Sequence, residues 1–179
     1  AMFELLKKVL KPYGPSGNET EVAEVIQREL TGHVDSMTVD AMGNLIVVKK
    51  GTDPNGKKVM LSAHMDHIGF IVTGFEKQGV LRVTSVGGVS ADSNQYRHVV
   101  FGNGMEGVVV SQPLKPGESR AMKHLFIDIG AEDEADARRK VQLGDVAVYA
   151  PNVVRLGEHR VASPAMDDRS ACAVLLATL

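Results

Sequence analysis

The triplet His64-Met65-Asp66 carries residue types that can build a metal site. It follows an apolar run at residues 58–63, which we interpret as a strand, and ligands in open α/β sheets collect at the carboxyl ends of strands. A neutral imidazole binds metals such as zinc, and a carboxylate two positions on can orient the ring by accepting a hydrogen bond from its other nitrogen. The pattern therefore suggests His64 as a metal ligand and Asp66 as its orienting residue. The alternative is an ordinary histidine and aspartate where a strand meets a loop.

A second cluster lies far along the chain, where Asp167 and Asp168 open the last helical pattern. One such carboxylate can bridge two divalent cations, which lie about 3.5–4 Å apart in hydrolytic sites. The alternative is helix capping, because an aspartate at a helix start satisfies free N–H groups and meets the positive end of the helix dipole. We expect Arg169 to pair with a neighbouring carboxylate. His67 either lines the site or is a solvated loop residue, and the second reading is slightly favoured.

The elements that must position these residues begin with an α/β pattern. Helical periodicity covers Phe3–Leu10 and the segment around Val22–Leu30. The second helix could be capped by Ser16 with Glu19, as a capping box, or by Asn18 alone. Residues 34–39 and 44–49 predict a β-hairpin. The run at residues 58–63 is continuously apolar, which is typical of a strand buried in the middle of a sheet covered on both faces.

The middle of the chain is rich in short strands. Glycine-separated β-like runs with only one helical segment, residues 132–141, predict a small barrel or sandwich. The runs are residues 68–72, 80–86, 98–100, 107–111, 125–129 and 146–149. From residue 167 to 179 the helical pattern returns, as expected when a β domain is inserted into an α/β domain. We therefore expect a partial α/β domain at residues 1–69 and 161–179 and an inserted β-rich domain at 70–160.

Composition excludes several functional classes. The 20 basic and 22 acidic side chains give a net charge of -2, which favours binding neither to nucleic acid nor to a membrane surface. The single cysteine excludes a disulfide framework, so a reducing cytoplasm is the expected compartment. The last helical pattern stops at Leu179 without a capping residue, from which we expect a truncated product.

The ordered combination of motifs resembles the tetrahedral or glutamyl aminopeptidase family of dinuclear metallopeptidases, some of which carry endoglucanase names. The resemblance rests on His64-Met65-Asp66 with Ile68-Gly69-Phe70, then Ile127-Asp128-Ile129-Gly130-Ala131 with Gly144-Asp145, then Met166-Asp167-Asp168-Arg169. It implies a three-layer α/β/α catalytic domain, here partial, interrupted by a β-barrel-like domain that serves oligomer contacts and access to the site. It also implies hydrolysis of N-terminal residues from peptides by two divalent metal ions, zinc or cobalt, with manganese a further candidate.

Residue by residue, the resemblance implies that His64 binds metal, that Asp66 orients it as part of the catalytic set, and that Asp167 bridges the metals. It further implies that the peptide bond from Asp167 to Asp168 is cis, and that the assembly is a homo-oligomer, a dodecamer built from dimers. The family's general-base glutamate has no counterpart up to Leu179, so we expect this chain to be inactive alone. Many relatives carry glutamate where this chain has His67.

Two rival functions stay open. The β-rich domain could act as a self-association module without catalysis. The complete protein could instead be a dinuclear hydrolase of another substrate, such as an acetylated amino acid or a glycoside. A glycosidase requires two carboxylates flanking the sugar bond, and the sequence shows no convincing pair.

Overall fold

The computed structural model describes residues 2–179 and confirms a mixed α/β fold that contains a closed barrel of six strands. Helices α1 to α4 and strands β1 to β10 follow the chain in an order that places the barrel strands in its middle. The helices are α1 Met2–Leu10, α2 Thr20–Leu30, α3 Glu134–Lys140 and α4 Met166–Thr178. The strands are β1 Ser36–Val39, β2 Leu45–Val48, β3 Gly69–Phe75, β4 Leu81–Val86, β5 His98–Phe101, β6 Glu106–Ser111, β7 Leu125–Asp128, β8 Val146–Tyr149, β9 Val154–Leu156 and β10 Arg160–Ala162.

By their contacts, the described residues form two compact units. One unit comprises the residues up to Asp66 together with Pro151–Leu179, and the other comprises His67–Ala150. The chain leaves the first unit once and returns to it once, as an insertion requires. The proposed oligomerisation and access roles of an inserted domain at 70–160 stay a prediction.

The unit His67–Ala150 is built around the barrel, whose strand order is β3-β4-β7-β6-β5-β8 with every neighbouring pair antiparallel. All six β-like runs of the sequence become barrel strands. In some of them the alternation of apolar and polar residues matches the two-residue period of a strand. In β4, for example, Leu81 and Val83 are buried while Arg82 and Thr84 are exposed. Closure pairs both edges of the sheet, which removes the open edges that favour aggregation.

Aliphatic and aromatic side chains fill the barrel interior. Phe70, Leu81, Val99, Val109 and Ile127 are completely buried there. The ring of Phe70 meets the ring of Tyr149 edge to face, with centroids 5.9 Å apart. This unit therefore has a hydrophobic core of its own.

The other unit has a separate core between its helices. Val9 and Leu10 of α1, Val22 of α2, and Cys172 and Ala173 of α4 are buried against one another. The hairpin β1–β2 lies in the same unit, as predicted. A second hairpin, β9–β10, was not predicted from the sequence.

The predicted buried strand at residues 58–63 is wrong for the described chain. No strand is assigned there, and Val59 and Met60 are 79% and 88% exposed. A strand needs hydrogen-bonded neighbours, and no other described segment pairs with this one. The apolar run thus lacks the sheet that its composition suits.

Within residues 2–179, no helix combines the length and the apolar character that crossing a bilayer requires.

Candidate metal centre

The structure brings His64, Asp66 and Asp167 together within the unit that holds both chain segments. The Nδ1 atom of His64 lies 2.9 Å from Asp66 Oδ1, and its Nε2 atom lies 3.0 Å from Asp167 Oδ1. Each ring nitrogen therefore faces one carboxylate. The three residues predicted from the sequence form one cluster, although their roles toward a metal stay a prediction.

Electrostatics in this cluster favour the protonated ring when no metal is bound. Partial burial lowers the pKa of His64, but the hydrogen bonds and charges of Asp167 and Asp66 outweigh it, so the pKa is raised above its ordinary value. The pKa of Asp66 is lowered, first by the hydrogen bond that Ser16 donates and then, against the cost of burial, by His64. An imidazolium donates from both nitrogens, so it satisfies both carboxylates at once.

The backbone at the start of α4, where Asp167 lies, is irregular. Asp167 and Asp168 have non-helical dihedral angles, and the peptide bond between them is cis, as the resemblance implied. The N-cap residue Ala165, just before the first residue of α4, lies in the left-handed region at φ 63°. No side-chain cap is formed at Ala165, and the Asp167 side chain is 96% exposed. The capping alternative therefore does not describe the observed contact of Asp167, which is with His64.

Arg169 departs from the expectation that it pairs with a carboxylate. Its side chain is fully buried, and its guanidinium donates to backbone carbonyl oxygens of three segments. Nε donates to Met65 at 2.8 Å, Nη1 donates to Pro12 at 2.7 Å and to Val9 at 3.2 Å, and Nη2 donates to Gly14 at 3.3 Å. Burial lowers the pKa of this guanidinium to about 10, which still leaves it charged near neutral pH. The planar fork of five N–H donors explains why arginine can serve several carbonyls at once.

Ser16 makes a further contact with the cluster that was not predicted from the sequence. Its hydroxyl donates to Asp66 Oδ2, the carboxylate oxygen opposite the one that faces His64. The sequence suggested Ser16 and Glu19 as a capping box for α2, but α2 has no side-chain cap, and Glu19 instead accepts from the Gly17 amide at 2.6 Å. A contact across 50 positions leaves no local spacing signal by which it could have been predicted.

His67 is buried, with only 7% of its surface exposed. The favoured prediction that it is a solvated loop residue is therefore wrong. Cys172 contacts the backbone of the site, because its thiol donates to the carbonyl of His64 at 3.3 Å. Burial raises the pKa of this thiol to about 11, with the charge of Asp168 acting in the same direction. The thiol is therefore a neutral donor that helps to hold the backbone at His64.

The donor set fits part of a divalent metal's shell. Imidazole nitrogen and carboxylate oxygen are both zinc ligands, and two ligands of a tetrahedral zinc lie about 3.3 Å apart, close to the 3.0 Å between Nε2 of His64 and Oδ1 of Asp167. Within residues 2–179, no group of three or more histidine, cysteine, aspartate or glutamate side chains is arranged to hold a metal ion. His64 and Asp167 could therefore provide only two ligands, whereas a structural or catalytic zinc site uses at least three from protein.

Comparisons with known proteins bear on this arrangement. The sequence pattern of the family described as M42 glutamyl aminopeptidase matches residues 43–179, which include His64, Asp66 and Asp167. A curated relative from Acetivibrio thermocellus that carries an aminopeptidase name is 43% identical over 176 residues, covering 98% of this chain and 52% of the relative. The lysyl aminopeptidase of Pyrococcus furiosus is 32% identical, with 93% of this chain and 51% of the relative covered.

Solved structures agree with the sequence comparisons. The fold is similar to an aminopeptidase from the archaeon Desulfurococcus kamchatkensis, with a TM-score of 0.88, 33% identity, and coverage of 99% of this chain and 52% of that one. It is also similar to the TET1 peptidase of Pyrococcus horikoshii, which can assemble into a tetrahedron or a large octahedral shell, with a TM-score of 0.83, 34% identity, and coverage of 99% and 55%. The chain spans about half the length of the relatives it matches.

Proposed function

The chain belongs to the M42 glutamyl aminopeptidase family, and we propose that it forms part of a metal-dependent aminopeptidase that removes N-terminal residues from peptides. The observation that carries the proposal is the meeting of His64 and Asp167, whose facing atoms lie 3.0 Å apart. Nothing in the local sequence requires an imidazole and a carboxylate from such distant segments to converge. A shared metal site does require these two side chains to lie close together.

Each residue of the cluster has a separate task in this proposal. His64 offers the Nε2 lone pair to a metal, and Asp66 accepts from Nδ1–H, which fixes the tautomer and makes the ring a better ligand. Asp167 offers two oxygens on an exposed side chain, the arrangement a bridging carboxylate needs. Two divalent ions held there would supply Lewis-acid polarisation of the substrate carbonyl and a water of lowered pKa.

The remaining ligands and the general base are proposed to come from protein corresponding to the half of the relatives that this chain does not span. On this proposal the 179-residue chain alone does not hydrolyse peptides, because the general base and the remaining metal ligands belong to the part of the protein that it does not contain. The two proposed metal ions are zinc or cobalt, with manganese as a further candidate, since imidazole and carboxylate ligands suit all three metals.

We also propose a homo-oligomer in the cytoplasm. The assembly is supported by the shells that the P. horikoshii relative forms, and by the presence of a barrel unit with its own core, which can present a surface without disturbing the other unit. A dimer-based particle, up to a dodecamer, is expected when the full-length protein is analysed by size-exclusion chromatography with light scattering. A monomer at micromolar concentration would contradict the assembly but not the peptidase activity.

The activity is tested by hydrolysis of aminoacyl-p-nitroanilides by the full-length protein before and after dialysis against a chelator. We expect activity to be lost on chelation and to return with zinc or cobalt, and His64→Ala to be inactive under every condition. Activity that survives complete removal of metal, as verified by elemental analysis, would rule out the proposed function.

A further inference from the structure

The hydroxyl of Ser16 occupies a place in the cluster that the proposed mechanism does not use. It donates to Oδ2 of Asp66, while Oδ1 of the same carboxylate faces His64 Nδ1 at 2.9 Å. A carboxylate held on one oxygen can rotate about its Cβ–Cγ bond, whereas one held on both cannot. The hydroxyl and the imidazole thus fix the carboxylate plane of Asp66 from opposite ends.

The segment that carries Ser16 is itself held in place. Gly14 and Pro15 are buried, and the Asn18 amide donates to the Pro15 carbonyl at 2.9 Å, which closes a turn around Ser16. Gly17 adopts φ 88°, a conformation that glycine accepts without steric cost. The position of Ser16 is therefore set by backbone contacts and not by Asp66 alone.

One guanidinium joins the two sides of this contact. Arg169 donates to Pro12 and Gly14 on the Ser16 side and to Met65 on the Asp66 side. A Cβ on Gly14 would lie only 2.6 Å from Arg169 Nη2, so the close approach of the guanidinium requires glycine there. Since Arg169 is also only two positions after Asp167, the same side chain ties all three segments of the cluster together.

We propose that Ser16 is a positioning residue for the metal-binding imidazole, acting through Asp66, with Arg169 holding the two backbone segments at the distance this contact needs. The inference rests on the proposed metal-binding role of His64. Contacts that orient a ligand in this way change metal affinity by about 10–100-fold when they are removed, and Ser16 is one contact further from the metal, so an effect of about 3–10-fold is expected.

The test uses Ser16→Ala, which removes the hydroxyl, and Ser16→Thr, which keeps it. The matched control is Ser119→Ala, an exposed serine of the barrel unit. In the full-length protein, zinc affinity is measured by competition with a chromogenic chelator, and thermal unfolding is followed in parallel. We expect Ser16→Ala to bind zinc about 3–10-fold more weakly while the melting temperature of the metal-free protein is unchanged, with Ser16→Thr and Ser119→Ala close to the parent.

A second measurement needs no metal. Long-range ¹H–¹⁵N correlation of the His64 ring in the apo chain, at a pH above the titration of the ring, reports which nitrogen carries the proton. Because Asp66 faces Nδ1 and Asp167 faces Nε2, the neutral ring can carry its proton on either nitrogen. We expect the Nδ1–H tautomer to make up a larger share of the ring in the parent and in Ser16→Thr than in Ser16→Ala.

The two measurements separate failure of this inference from failure of the proposed function. If the parent binds no zinc but the tautomer changes in Ser16→Ala only, Ser16 positions the ring and the metal proposal fails. If zinc affinity and tautomer are both unchanged in Ser16→Ala, the positioning role is overturned. Equal losses in Ser16→Ala and Ser16→Thr would also overturn it, because the hydroxyl would then not be the group that matters.

Discussion

His64 and Asp167 stand 103 positions apart in the chain, yet Nε2 of the first lies 3.0 Å from Oδ1 of the second. Both residues belong to the same compact unit, although the barrel unit His67–Ala150 lies between them in the sequence. Asp66 completes the arrangement from the other side of the ring. The relationship leads to a direct prediction about the carboxylate of Asp167.

Replacement of Asp167 by asparagine in the full-length protein is expected to abolish metal-dependent activity while leaving the fold intact. The amide keeps the shape of the side chain but lacks the full negative charge that a bridge between two cations uses, so we expect a loss of at least about 100-fold in kcat/KM. Because the side chain is 96% exposed, the melting temperature of the metal-free protein should not change. Steady-state kinetics with elemental analysis of bound metal check both expectations.

The control for this change is Asp92→Asn, an exposed aspartate of the barrel unit. It removes the same charge from the protein without touching the cluster. Full metal content and activity in Asp167→Asn would show that the carboxylate is not a ligand.

Arg169→Met is expected to destabilise the chain by at least about 3 kcal/mol, because each buried acceptor left without a donor costs about 1–3 kcal/mol. The guanidinium now serves carbonyls of Val9, Pro12, Gly14 and Met65. Arg169→Lys should fall between the parent and Arg169→Met, since an ammonium keeps the charge but cannot reach all of these oxygens. Urea denaturation followed by circular dichroism measures the free energy of unfolding.

An exposed arginine provides the comparison. Arg28 lies 4.0 Å from Glu24 on the surface of α2, and Arg28→Met should change stability by less than about 0.5 kcal/mol. A similarly small change for Arg169→Met would mean that water or another donor replaces the guanidinium.

Gly107→Ala is expected to destabilise the barrel by about 1–3 kcal/mol through overpacking. A Cβ at this position would lie 2.7 Å from Ile127 Cγ2 and 3.0 Å from the Asp128 carbonyl oxygen, and the backbone oxygen cannot move without disturbing the pairing of β6 with β7. Gly88→Ala is the matched control because its Cβ would meet open space. Thermal unfolding of the two variants should differ clearly, and equal melting temperatures would contradict the packing described for β6.

Cys172 should react slowly with iodoacetamide in the folded 179-residue chain, where it is the only cysteine. Burial raises the pKa of its thiol from 9.0 to about 11. The reactive thiolate is therefore about 100-fold scarcer than in the unfolded chain at about pH 8, and limited access slows the reaction further.

The pH dependence of the iodoacetamide reaction shows whether the pKa of Cys172 is raised or lowered by folding. Labelling of the urea-unfolded chain should level off once the pH passes about 9, whereas labelling of the folded chain should keep rising toward about pH 11. Mass spectrometry of quenched samples measures both rates. A folded-state rate that levels off near pH 9 would contradict the raised pKa.

The barrel strands were predictable from the sequence, because each one is a short β-like run next to turn residues and finds its partners within the same stretch of chain. The apolar run at residues 58–63 shows the limit of that reasoning. Its composition suits the middle of a sheet, but burial depends on neighbouring strands, and the described chain provides none beside it. An apolar composition shows that a segment could be buried in a sheet. Whether it is buried depends on the presence of neighbouring strands that pair with it.

For the cluster, residue type and motif order determined by themselves that His64, Asp66 and Asp167 were the candidates. The tertiary structure alone decided that the imidazole faces both carboxylates, that Ser16 holds Asp66, and that Arg169 is buried among carbonyls. The physical reason is the identity of the partners. Backbone carbonyls occur at every position and leave no mark in a sequence, and a hydroxyl that meets a carboxylate 50 positions away does so only after the chain has folded.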